Sequence, residues 1–189
     1  MSAACPSRPE RDFAAIAARI TRPVVLVGLM GVGKTTVGRK LASLLGRDFV
    51  DADEAIAEAA RRSIPEIFET FGEAYFRDGE RRVIARLIDE GHGVIATGGG
   101  AFVDPATRAA VLEKGIAVWI DCDIDTLVER TARRGNRPLL KQGDPRAILT
   151  RLAAEREPFY RQAHIRVVSE TGPHADTARA ILEAIDKWL

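Results

Sequence analysis

The chain has 189 residues, 46% of them hydrophobic and 29% charged, and its 28 Lys+Arg against 27 Asp+Glu leave a formal charge of +1. That balance suits one ordinary folded domain and excludes both a disordered chain and binding to nucleic acid through bulk positive charge. No run approaches the about 18 consecutive apolar residues of a membrane span. Arg8, Glu10, Arg11, Asp12 and Arg19 interrupt any signal-peptide core, so a cytoplasmic protein with no membrane partner is expected.

In chain order, residues 1–20 read as an N-terminal extension carrying a small Ala-rich helix, Phe13 to Ile20, outside the main fold. Five short apolar runs follow as candidate strands: Val24 to Val27, Phe49-Val50, Val94 to Ala96, Ala117 to Ile120 and Ile165 to Val168. Helical patterns lie between and after them, at Lys34 to Leu45, Asp53 to Arg61, Ile64 to Phe71, Phe76 to Asp89, Pro105 to Lys114, Ile124 to Arg133 and Asp176 to Leu189. Short buried runs alternating with helices predict an α/β fold around a mostly parallel sheet. The stretch Arg134 to Pro145 carries Gly, Pro and several cations without apolar period, so it reads as a long polar loop of functional type. Cys5 and Cys122 form no metal-ligand spacing and are expected to be inert thiols.

The strongest signal is Gly28-Leu-Met-Gly31-Val32-Gly33-Lys34-Thr35, which matches G-x-x-x-x-G-K-[ST], follows the first apolar run and opens the first long helix. Glycines let successive backbone N–H groups point at phosphate oxygens, and the helix presents its positive N-terminus to the same anion. Lys34 is expected as an exposed point charge on the phosphates, and Thr35 as a hydroxyl for Mg²⁺. Nucleoside triphosphate binding follows. A guanine-binding N-K-x-D and an L-S-G-G-Q signature are absent, and the chain is too short for a ring ATPase with its lid domain, which favours a small-molecule kinase.

The second strand ends in Asp51-Ala-Asp53, two carboxylates that share a direction if the strand persists and that reach the phosphates if it neighbours the first strand. Asp53 is also a candidate helix cap. Further on stand Phe76-Arg77-Asp-Gly-Glu80, Gly98-Gly99-Gly100, Arg137-Pro-Leu-Leu140 and Arg156-Glu-Pro-Phe-Tyr160. With the phosphate loop, this ordered series resembles the shikimate kinase family from about Pro23 to the C-terminus. The resemblance implies a three-layer P-loop NTPase fold with a five-stranded parallel sheet, helices on both faces, a kinase domain over residues 21–189 and a mobile lid at about 131–146.

It also implies transfer of phosphate from MgATP to the 3-hydroxyl of shikimate, on the route to chorismate and the aromatic amino acids. On that reading Asp53 receives the reacting hydroxyls as acceptor and base, and Asp51 joins Thr35 in the magnesium shell. Arg77 and Arg156 hold the substrate carboxylate, and Gly98, Gly99 and Gly100 bring backbone amides to the substrate. Gly31, Val32, Gly33, Lys34, Thr35 and Thr36 cradle the ATP phosphates, Arg137 reaches them from the lid, and Arg130 stacks on adenine. A monomer is expected.

Two departures stand out. Thr97-Gly-Gly-Gly occupies the place of an ordinary Walker B acid, while Val118-Trp119-Ile120-Asp121 fits the Walker B text on what the resemblance makes the wrong strand. At Thr171-Gly-Pro-His174 the Arg often carried by family members is missing, so adenine contacts there are expected from backbone or not at all. The alternatives are a kinase for another small polyol acid such as gluconate, and a non-catalytic ATP-binding module.

Overall fold

The computed structural model describes residues 13–132, 143–170 and 172–189. Its centre is a five-stranded, all-parallel sheet built from β1 (Val24–Val27), β2 (Phe49–Asp51), β3 (Val94–Ala96), β4 (Ile116–Asp121) and β5 (Ile165–Val168), in the spatial order β2-β3-β1-β4-β5. Every residue of β1 and β3 is buried, which requires cover on both faces and explains why these strands read as unbroken apolar runs. The edge strands differ: β2 is half-buried throughout, and β5 alternates buried with exposed positions.

Eight helices connect and cover the strands among the described residues: α1 (Phe13–Arg19), α2 (Lys34–Leu45), α3 (Ala52–Ala60), α4 (Ile64–Asp89), α5 (Pro105–Lys114), α6 (Ile124–Ala132), α7 (Pro145–Tyr160) and α8 (His174–Trp188). A 3₁₀ turn at Ala101–Val103 joins β3 to α5. Helices α1, α2 and α8 pack on one another, as do α4 with α5 and α6 with α7.

Four expectations change. First, α1 is not outside the fold: Ile16 and Ile20 belong to the hydrophobic core, and Arg47 donates to the carbonyls of Ala17 and Ile20. Second, the two helices expected at Ile64 to Phe71 and Phe76 to Asp89 stand on either side of a break at Gly72, whose φ of 81° and ψ of 174° are not helical, but the second of them, within α4, begins just after that glycine and ahead of Phe76. A positive φ is what glycine permits, and the Ser63–Glu66 capping box starts the first of the two helices at Ile64.

Third, α7 has no counterpart in the sequence reading, although Asp144 caps it through Arg146 N and Ala147 N and Pro145 stands in its first turn. The expected lid range therefore begins in the last turn of α6 and ends in the first turn of α7, while Arg137 and residues 133–142 lie outside the described residues. Fourth, β2 does not neighbour β1, because β3 lies between them.

Candidate active site

The phosphate loop bends because its glycines take conformations closed to other residues: φ is 139° at Gly28, 89° at Gly31 and 94° at Gly33. A Cβ at Gly28 would stand 2.4 Å from the carbonyl oxygen of Ile120, so close packing of loop on β4 forbids one independently. Val32 turns its side chain into the core and contributes backbone only. Lys34 is buried, not exposed as expected: its Nζ donates to the carbonyls of Gly28 at 2.7 Å and Leu29 at 2.9 Å. The loop's own carbonyls thus hold the ammonium in place before any phosphate arrives.

Thr35 and Thr36 open α2 beside it. The Thr35 hydroxyl donates to Asp51 Oδ2 at 2.7 Å, and the other carboxylate oxygen of Asp51 accepts from the backbone N–H of Asp53 at 3.0 Å. Asp51, not Asp53, therefore caps α3, and the shared direction expected along a persisting strand does not arise, because β2 ends at Asp51 and Asp53 stands in the first helical turn. Asp51 still reaches the phosphate loop across β3, as the conditional reading required by another route.

The three glycines after β3 are explained by what leans on them. A Cβ at Gly98 would stand 2.9 Å from Asp53 Oδ1 and 3.0 Å from Glu80 Oε1. One at Gly99 would stand 3.1 Å from Arg156 Nη1, and one at Gly100 would stand 2.8 Å from Arg77 Nη1. Each glycine is a space that a charged side chain fills. Thr97, just before them, is buried and its hydroxyl donates to the Leu26 carbonyl at 2.9 Å, tying the end of β3 to β1.

Arg77 donates to Glu80 Oε2 at 2.7 Å and contacts Glu73 at 3.4 Å. Glu80 is only 2% exposed, and burial lifts its carboxyl above the ordinary range against the opposing pull of Arg77. Arg156 does not pair with Glu157, which binds Arg161 instead. The buried Tyr160 hydroxyl, next to Arg156 on α7, donates to the Gly99 carbonyl.

One cavity of about 300 Å³ lies here, lined by the loop residues Met30, Gly31, Gly33, Lys34 and Thr35, by Asp51 and Asp53, by Thr97, Gly98 and Gly99, and by Arg130 and His174; Arg77, Gly100 and Arg156, expected in the substrate site, do not line it. Arg130 is held by its edges, with Nη1 at 3.3 Å from the Val32 carbonyl and 3.2 Å from Ser169 Oγ, and Nη2 at 2.7 Å from the Glu170 carbonyl. Asp121 turns away to Arg166 on β5 at 2.6 Å and lines a separate hollow. Burial raises the Cys122 thiol's pKa, which keeps it in the unreactive protonated form.

Glu80, Tyr160, Thr97 and His174 are site residues that the sequence reading did not assign. Glu80 and Tyr160 stood inside quoted motifs, one helical turn from Arg77 and Arg156 respectively, and that spacing was the available signal. His174, in the Thr171-Gly-Pro-His174 stretch where only backbone contacts or none were expected, lines the cavity.

Hydroxyl and carboxylate oxygens at Thr35 and Asp51 are hard donors of the type Mg²⁺ takes, and Mg²⁺ keeps several waters and phosphate oxygens as its other ligands. Among the described residues no group of three or more His, Cys, Asp or Glu is placed to hold a metal ion.

The phosphate loop, Asp53 and the first two glycines of the cradle share one cavity at the carboxyl ends of a parallel sheet, which places the chain among the P-loop kinases of small molecules. A family model described as shikimate kinase matches residues 30–186. A shikimate kinase of Novosphingobium aromaticivorans is 67% identical over 178 residues, covering 92% of each chain. The solved structure of a shikimate kinase from Acinetobacter baumannii in complex with shikimate is 41% identical with a TM-score of 0.84, covering 90% of this chain and 96% of that one. A gluconokinase from Sinorhizobium meliloti, 16% identical with a TM-score of 0.61 and covering 89% of this chain and 94% of that one, shares the fold alone. The chain belongs to the shikimate kinase family.

Proposed function

We propose that the protein transfers the γ-phosphoryl group of MgATP to the 3-hydroxyl of shikimate, giving shikimate 3-phosphate and ADP. The observation that carries this reading is the glycine cradle: two guanidinium groups and two carboxylates press on Gly98, Gly99 and Gly100 beside the phosphate loop. A cyclic acid with ring hydroxyls needs cations at one end and acceptors at the other.

Arg77 and Arg156 supply the cations, and a planar guanidinium can pair with a carboxylate through two parallel hydrogen bonds. Glu80 holds Arg77 in position, and Tyr160 holds the Gly99 carbonyl under Arg156. Asp53 accepts the hydrogen bond of the reacting hydroxyl and takes its proton as the new O–P bond forms and the bond to the ADP oxygen breaks. Lys34 and the loop amides offset charge on the β- and γ-phosphates.

Thr35 and Asp51 are the residues that would hold Mg²⁺, which supplies charge neutralisation on the phosphate oxygens when bound. Arg130 is assigned to the nucleoside, consistent with the edge contacts that leave its plane for stacking. The lid of the domain division, with Arg137, is carried from the resemblance.

Release of ADP from MgATP, measured with shikimate, quinate and gluconate in turn, tests the reading. Stimulation by shikimate well above the other two is expected. No stimulation by shikimate refutes it, and stimulation by gluconate instead moves the protein to the polyol-acid reading.

A further inference from the structure

Arg108 stands one turn into α5, half-buried, and spends its guanidinium on neutral groups. Its Nη1 donates to the carbonyls of Phe102 at 3.1 Å and Val103 at 2.9 Å, and its Nε donates to Gln162 Oε1 at 3.1 Å. The same guanidinium lies over the Phe159 ring, 5.0 Å from its centre. Phe102 and Val103 belong to the 3₁₀ turn that follows Gly100, whereas Phe159 is in the last turn of α7 and Gln162 stands just beyond it. One planar side chain therefore joins the end of the glycine cradle to the end of the helix that carries Arg156.

That end of α7 needs a tie from outside. Pro158 lies inside the helix and has no N–H for the Ala154 carbonyl, so the backbone ladder loses a rung between Arg156 and Tyr160. Side chains replace it. The Tyr160 hydroxyl donates to the Gly99 carbonyl, and the amide nitrogen of Gln162 donates to the Pro158 carbonyl at 3.2 Å while its oxygen accepts from Arg108. Arg156 Nη1 rests 3.1 Å from the place of a Cβ at Gly99, so the position of its guanidinium follows how the last turn of α7 sits against the glycines. A bidentate pair depends on that position, because two parallel hydrogen bonds require the fork to be aimed as well as near.

We propose that Arg108 is a positioning residue for the substrate carboxylate: by clasping the 3₁₀ turn to the last turn of α7, it aims the Arg156 guanidinium at the acid. This rests on Arg156 meeting the carboxylate of shikimate, as proposed above. Misplacing a group that orients substrate by about 1 Å can cost about a hundredfold. Arg108 is one of two ties, with Tyr160 the other, so its loss should cost less than that.

ADP release from MgATP at varied shikimate tests the proposal. Arg108→Met keeps the length and apolar stem but donates nothing, and it should raise KM for shikimate about tenfold with kcat and KM for ATP changed less than about twofold. Arg108→Lys keeps a cation over Phe159 but cannot fork between both sides; it should give about a threefold rise and carries the test if the Met variant unfolds. A double-mutant cycle then separates aiming from general bracing. In an Arg156→Lys background, where the bidentate pair is already gone, Arg108→Met should raise KM for shikimate by less than about twofold. In an Arg77→Lys background the rise of about tenfold should persist. Calorimetric titration with shikimate replaces KM wherever turnover is too slow to fit.

A lowered Tm with both KM values unchanged, or with both raised alike, would overturn the proposal in favour of a structural brace. Effects that simply add in the Arg156→Lys background, or that couple to Arg77 instead, would overturn it as well. Wild-type protein without shikimate-stimulated ADP release would refute the functional reading and this proposal together, whereas any of the other outcomes in an active wild type refutes the role of Arg108 alone.

Discussion

Strands β2 and β3 carry charge at both ends and use it in opposite ways. At their amino ends, Asp48 meets His92 and the backbone N–H of Gly93, while Arg47 reaches back to the last carbonyls of α1. Those groups are satisfied within the chain, and the His92 hydrogen bond lowers the Asp48 pKa. At the carboxyl ends, Asp53 and Glu80 crowd the same glycine, and burial raises the Glu80 pKa against its arginine partner. One rim lowers the energy of the fold through its ion pairs. The other holds carboxylates close together at a cost, which is the condition of a site waiting for a ligand.

Substitution should therefore separate activity from stability according to the rim it touches. The largest effect is expected for Asp53→Asn, which keeps the volume but cannot take a proton. Turnover should fall by about 10²–10⁴-fold with KM for ATP near normal and no rescue by excess Mg²⁺, as read by ADP release. A variant retaining a tenth of the wild-type rate would remove Asp53 from the chemistry.

Glu80→Gln comes next. Hydrogen bonds to charged groups are worth about 1.5–3 kcal/mol, so loosening Arg77 should raise KM for shikimate by roughly ten- to a hundredfold while KM for ATP stays put. Because burial lifts the Glu80 carboxyl, the wild-type KM for shikimate should begin to rise on acidification at a pH above the ordinary Glu value of about 4.3. A KM profile unchanged by the substitution would mean that Arg77 is held by Glu73 alone.

Asp51→Asn should shift the Mg²⁺ dependence by about tenfold and recover at high metal, because Asn still caps α3 and leaves the fold intact. Asp121→Asn, by contrast, should leave the metal dependence alone, since Asp121 faces Arg166. Metal-rescuable loss at Asp121 with normal behaviour at Asp51 would reverse the assignment.

At the other rim, Arg47→Ala should leave kcat and both KM values unchanged and lower the Tm by a few degrees, since it removes the hydrogen bonds that tie the end of α1 to the loop after α2, at a cost of about 1–2 kcal/mol. The smallest effect belongs to His92→Gln. Its pKa is raised by the Asp48 hydrogen bond first and by Glu90 after it. The protonated form thus contributes stability that is complete below the unfolded His value of about 6.5 and is lost as pH rises through the higher folded value. Asp48 contributes in the opposite sense, its share being lost as pH falls through its depressed value. Both groups are partly exposed, so the pair is worth less than about 1 kcal/mol. Denaturation midpoints at pH 6 and pH 9 should converge in His92→Gln, and a wild-type midpoint flat over that interval would show that the pair contributes nothing.

Local chemistry made the phosphate loop legible from the chain alone, because glycine spacing, a preceding apolar strand and a following helix are all sequential. The central strands were legible for a related reason: burial on both faces leaves an unbroken apolar run, as in Val24 to Val27. The edge strands were read as well, β5 at its full bounds, but α7 was not. Helix α7 buries only Leu149, Leu152 and Tyr160, so its period is faint, and its one clear signal, Asp144 before Pro145, repeats the Asp104-Pro105 start that did reveal α5.

Contacts between segments far apart in sequence were beyond that reading. Which charged group fills the space over which glycine, whether Asp51 or Asp53 caps α3, the burial of Lys34 beneath its own loop, and the seat of His174 on Gly33 all depend on the order β2-β3-β1-β4-β5. Residue types and spacing determined that this chain binds a triphosphate and resembles one kinase family. The distances at which its charges meet came only from packing, since a side chain's partner is chosen by the space the fold leaves and not by its neighbours along the chain.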